Sequence, residues 1–139
     1  MGSIVLGYDA SPGAKAALDC AIQLAREHGD ELVIAHGVAP PGGVGEEWRA
    51  NRAALEDQAR ELTKDALAEA EAAGVSACLE LVDERPATAL VDVADQREAR
   101  YIVVGTWGES PLRGAILGST PHKLLHIADR PVVVVPASR

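Results

Sequence analysis

YIVVGTWGESPLRGAILGSTPHKLLHIADRPVVVVP, residues 101–136, is the stretch on which the fold turns. It begins on the apolar run Tyr101–Val104 (YIVV) and ends on Pro131–Pro136 (PVVVVP). Short runs rich in β-branched residues have the composition of strands. Neither run alternates apolar with polar, so each expects cover on both faces of its sheet. Between them, Thr120-Pro121 opens a helix that runs to about Ala128. A residue before proline is driven out of the α region, as an N-cap requires, and proline suits a first turn. Strand, crossover helix and strand make one βαβ unit with parallel strands.

The same alternation extends toward the N-terminus. Ser3–Tyr8 (SIVLGY), Glu31–Gly37 (ELVIAHG) and Ala77–Val82 read as three more strands. Ser11-Pro12 opens a helix whose apolar stripe is Ala14, Ala17, Leu18, Ala21, Ile22, Leu24 and Ala25, ending near His28-Gly29. A long helix is expected from about Glu46 to Ala73, with Trp48, Leu55, Leu62, Ala66 and Leu67 near helical spacing and Gly74 as the residue that ends it. Pro86 starts another, carrying Leu90, Val91, Val93 and Ala94. The Pro/Gly-rich stretch Val38–Gly45 reads as a loop. No repeat or long linker divides the chain, so residues 1–139 are expected to form one domain. The fold class is α/β, with a five-stranded, mainly parallel sheet covered by helices on both faces. Such sheets bind ligands beyond the carboxyl ends of their strands, where the strand order reverses.

Composition narrows the partners. The net charge of −8 argues against nucleic acid and anionic membranes, because both repel an acidic surface. Apolar residues make up 47% of the chain and none is Phe, so the core is expected to be aliphatic. Cys20 and Cys78 form no CxxC pair and read as buried, reduced thiols. No basic-then-apolar leader and no run of membrane-spanning length is present, which points to a cytoplasmic protein.

Two features fall at strand carboxyl ends. One is Asp9; the other is Gly105-x2-Gly108-x9-Gly118-Ser119. Neither a Gly-Lys-Ser/Thr loop nor a GxGxxG run is present. The pattern still suits phosphate: glycines let backbone approach an anion, and N–H groups at a helix start carry partial positive charge. Gly118, Ser119 and Thr120 lead into a helix, so their N–H groups and two hydroxyls are candidates to hold phosphate. Ordinary helix capping beside a loop is the competing reading of the same residues.

Gly105-x2-Gly108-x9-Gly118-Ser119 resembles the nucleotide motif of the universal stress protein family, in its ATP-binding branch. The likeness covers nearly the whole chain: IVLGYDASPGAKAAL, ELVIAHGV, ARYIVVGTWG and GSTPHKLLHIADRPVVVVP resemble the family's first strand and helix, second strand, fourth strand, and closing helix and strand. The resemblance implies a Rossmann-like, adenine nucleotide alpha hydrolase-like fold with strand order 3-2-1-4-5. It also implies homodimers joined through the last strand, here residues 132–136. By position it implies that Asp9 holds the adenosine end, that Gly7 and Tyr8 line the base or ribose, and that Gly37 touches adenine. Val104, Gly105 and Gly108 would flank ribose and phosphate, and Gly118, Ser119 and Thr120 the phosphates. The ligand implied is ATP, with Mg²⁺ as its companion ion, and the implied role is regulatory: a stress-response protein whose nucleotide state alters its binding to a protein partner.

Three positions depart from the family pattern. Gly37 stands where a branched residue usually walls adenine, Trp107 where Arg or His is frequent, and Glu109 where a basic or small residue is common. Arg113 is then the remaining cationic candidate near the phosphates. These departures motivate a second expectation, a dimeric scaffold of the same fold that binds no nucleotide. An adenylating enzyme is a third, disfavoured because the chain leaves no room for a second substrate domain. His122 and His126, four apart with Asp129 nearby, read as a solvated helix face rather than a metal site, and His36 as a packed strand residue. No nucleophile–base pair stands out, so hydrolysis, if present, is expected to be slow.

Overall fold

Why the strands pack as they do is visible in a computed structural model, which describes residues 1–38, 45–106 and 117–137. The elements are β1 (Ser3–Gly7), α1 (Pro12–His28), β2 (Glu31–Gly37), α2 (Glu46–Ala72), β3 (Ala77–Val82), α3 (Pro86–Arg97), β4 (Tyr101–Gly105), α4 (Ser119–Ile127) and β5 (Val132–Val135). The five strands form one sheet in the order β3-β2-β1-β4-β5, and every neighbouring pair is parallel. The order reverses between β1 and β4, which places the switch point of the fold at the carboxyl ends of these two strands.

Strand side chains alternate between faces, and both faces are apolar because both are covered. On one face Ile4, Leu6, Leu32, Ile34 and Val103 pack against α1 and α2. On the other Val5, Val33, Ala35, Ile102 and Val104 pack against α3 and Leu124 of α4. The predicted stripe of α1 is buried as expected except for Leu24, which is partly buried. Ser11 caps α1, its hydroxyl accepting from the Ala14 N–H at 3.2 Å, and Gly29 ends it at φ 69°.

Three element readings change. In α2 the buried line is Ala59, Thr63, Ala66 and Ala70, while Trp48, Leu55, Leu62 and Leu67 are half-buried at its margins. Small residues let the helix approach the sheet closely, and Thr63 fits because its hydroxyl donates to the Ala59 carbonyl at 2.8 Å. α4 begins at Ser119, with Gly118 rather than Thr120 as N-cap, two residues earlier than expected. The Gly118 carbonyl accepts from the His122 N–H at 3.1 Å, which closes a turn around Thr120 and Pro121; proline costs no hydrogen bond there, because the first N–H groups of a helix lack intrahelical partners. β5 is shorter than 131–136 because its flanking prolines cannot donate to a ladder. Both cysteines are free and half-buried rather than fully buried, and burial pushes both thiols above their ordinary range.

Candidate functional site

At the switch point lies a cavity of about 420 Å³, within the range of roughly 300–1,000 Å³ typical of small-molecule sites. β1 and the two residues after it supply Gly7, Tyr8 and Asp9, β2 supplies Ala35, His36 and Gly37, and β4 supplies Val104 and Gly105. Three helices begin at its rim: Ala14 comes from the first turns of α1, Pro86 and Leu90 from α3, and Ser119, Thr120 and Pro121 from α4. In a parallel sheet each helix follows the carboxyl end of a strand, so the positive ends of these helix dipoles meet in one place. No lysine or arginine lines the cavity among the described residues. An anion there would be held by backbone dipoles, against the overall charge of −8.

The helix starts are not equivalent. At α1 two of the local N–H groups are already used. Asp9 Oδ1 accepts from the Ser11 N–H at 3.0 Å, Ser11 Oγ accepts from Ala14, and Pro12 has no N–H. This turn holds Ala10 at φ 62°, a left-handed conformation that costs a non-glycine residue roughly 1–2 kcal/mol. Asp9 therefore braces the β1–α1 turn and also faces the cavity. At α4 no side chain among the described residues caps the helix, and Ser119 and Thr120 occupy its first two positions at the cavity wall. Gly118 differs from its expected role: its N–H donates to the Thr106 carbonyl at 2.6 Å, tying the end of β4 to the start of α4. Its hydrogen is spent on that link, which leaves Ser119 and Thr120 as the N–H donors facing the space.

Gly37 and Gly105 are required by close backbone approach. A Cβ at Gly37 would stand 2.4 Å from the Glu84 carbonyl oxygen, so the β3–α3 connection fills the place of the missing side chain. A Cβ at Gly105 would stand 2.7 Å from the backbone of Gly13, so Gly105 seats α1 against β4 as well as lining the cavity. Tyr8 is buried in the core under α1 and α2 and still borders the cavity. Burial, then the carboxylates of Glu69 and Asp65, push its phenol above its ordinary value of 10.0.

Of the residues anticipated from sequence, Gly7, Tyr8, Asp9, Gly37, Val104, Gly105, Gly118, Ser119 and Thr120 surround this one cavity. Gly108 and Arg113, with Trp107 and Glu109, lie outside the described residues. Sequence reasoning missed Ala14, Ala35, Pro86, Leu90 and Pro121 as lining residues and assigned His36 to packing alone. Pro86 carried a usable signal, because a helix that opens directly after a strand must start at the carboxyl edge of the sheet. Ala35 and Leu90 carried none, being ordinary core residues in sequence.

Comparison with known proteins places these features in context. The model of the universal stress protein family matches residues 1–136. A universal stress protein of Thermus aquaticus is 33% identical over 136 residues, covering 96% of this chain and 97% of that protein. One from Mycolicibacterium smegmatis is 33% identical over 142 residues, and the chain spans 47% of that relative's length. Among solved structures, a universal stress protein in complex with cAMP has a TM-score of 0.75 at 28% identity, covering 99% of this chain and 98% of the other. A universal stress protein of Archaeoglobus fulgidus has a TM-score of 0.77 at 25% identity, covering 97% and 98%.

Proposed function

The chain belongs to the universal stress protein family, and on that premise we propose that its cavity binds an adenine nucleotide, with ATP accompanied by Mg²⁺ as the working ligand. The observation that carries this reading is the meeting of the α4 N-terminus, uncapped by any described side chain, with the carboxyl ends of β1, β2 and β4 around one cavity of suitable size. The Ser119 and Thr120 N–H groups and hydroxyls would face the phosphates. Asp9 would take the ribose hydroxyls, since an ionised carboxylate accepts only. Ala35, Gly37, Pro86 and Leu90 would enclose the base. The similar structure in complex with cAMP supports an adenine ligand of this kind. In this reading the protein acts by binding, with slow hydrolysis at most. Nucleotide occupancy would then alter its association with a protein partner in the stress response. Two copies would join through strand 132–136.

The test begins with the purified, untagged protein. Any small molecule it carries is released by denaturation and identified by mass spectrometry, and the emptied protein is titrated calorimetrically with ATP plus Mg²⁺, AMP and cAMP. Saturable binding of an adenine nucleotide at one site per chain is expected. A folded protein that takes up none of the three would overturn the reading and favour the nucleotide-free scaffold.

A further inference from the structure

α4 bears a second feature, on the side turned away from its buried Leu124. His122 and His126 lie one turn apart and are both exposed. Spacing alone favours a solvated face, and the placement of the rings adds an observation that a shared metal ion would also produce. Their centroids are 5.0 Å apart and their planes are inclined at 72°. Zinc stands about 2.0–2.1 Å from a ligating imidazole nitrogen, and hence about 3.2 Å from the ring centre; two such rings at a tetrahedral angle of about 109° have centres about 5 Å apart. Residues at i and i+4 project from one helix face, so one ion can reach both rings without distorting the helix.

We propose that His122 and His126 form a divalent transition-metal site on α4, suited to Zn²⁺. No group of three or more His, Cys, Asp or Glu side chains is gathered for a metal among the described residues. The two imidazoles are therefore the protein ligands, and water completes the tetrahedron. Asp129 lies just beyond the helix and pairs with Arg130 at 3.5 Å. Such a site binds more weakly than a closed structural site of four protein ligands, and its metal exchanges freely.

Its position gives it a consequence. α4 has nine residues, of which only Pro121 and Leu124 are buried, so tertiary packing holds it at few points. Short helices are marginal without such support. An ion joining His122 to His126 staples the turn directly behind Ser119 and Thr120. Because the bridge exists only in the folded helix, metal stabilises the native state by mass action.

Untagged, nucleotide-free protein is titrated with ZnCl₂ by calorimetry in a non-chelating buffer and melted with and without the metal. One equivalent is expected to bind, with a rise of a few degrees in Tm at saturation. His122→Ala and His126→Phe should each lose both effects. The Phe variant retains an edge-to-face aromatic pair, which two packed rings of this separation would also make, and removes only the ligand. His28→Ala, which alters a histidine packed on Tyr101, should bind as the unaltered protein does. Absence of zinc binding in the unaltered protein, or binding that survives in the His122→Ala/His126→Ala double variant, would overturn the site. Neither readout depends on nucleotide.

Discussion

At the residue scale, Gly37 shows how position in space governs what a side chain may be. Family resemblance presents it as a lost adenine wall that a branched residue would restore. The Glu84 backbone already occupies that place. Gly37→Val should therefore destabilise the fold by about 1–3 kcal/mol, the usual cost of overpacking, with no tighter nucleotide binding. Denaturant unfolding and ATP titration check both halves, and a more stable or tighter-binding variant would contradict the contact. Asp30 is a second such residue. Its nearly buried carboxylate accepts from Arg100 Nε at 2.8 Å and from the Gly2 N–H at 3.1 Å. The Arg100 hydrogen bond holds it below its ordinary value of 3.8. A lowered folded-state pKa contributes stability that is present above about pH 4 and is lost as pH falls through the folded value. Asp30→Asn should lower Tm at pH 7 and leave a shallower loss of Tm between pH 5 and 3, measured by melts across that range. None of this was legible in the sequence, where Asp30 is one more acidic residue at a helix end and its partner lies seventy positions away.

At the element scale, the start of α4 is the decisive piece. Sequence located it to within two residues, because Gly118-Ser119-Thr120-Pro121 is punctuated by local backbone preference. It did not reveal that the Gly118 N–H turns to Thr106, since that bond spans two elements. Ser119→Glu separates helix from ligand. Ser119 is exposed at the first helical position, where a carboxylate favours the dipole by about 0.3–1 kcal/mol. The same charge would repel phosphate. The variant should melt no lower than the parent and bind ATP at least ~10-fold more weakly, a loss of about 1.4 kcal/mol. Unchanged affinity would remove the phosphates from this helix start. α2 makes a related point: its apolar period was plain, but small residues rather than large ones mark the line that meets the sheet.

At the scale of the whole molecule, an acidic chain brings three helix starts to one cavity, so the positive ends of three helix dipoles meet inside a negatively charged protein. The sheet also ends on β5, whose four valines are only half-buried and which pairs with β4 alone among the described residues. An apolar edge of this kind invites another strand. Light scattering should find a dimer, and Val134→Lys should shift it toward monomer by placing a charge on the edge. A monomeric parent protein at micromolar concentration would refute pairing through this strand.

The sequence by itself determined the alternation of five strands and four helices, their approximate limits, and the end of the sheet at which the cavity opens. Those properties are local: periodicity, β-branching and the backbone limits of glycine and proline act within a few residues. Only the tertiary structure decided that Glu84 seals Gly37, that Gly13 presses on Gly105, and that Ala35, Pro86 and Leu90 join the cavity. These depend on how closely backbones and side chains approach through space, which close packing sets and no short stretch of sequence specifies.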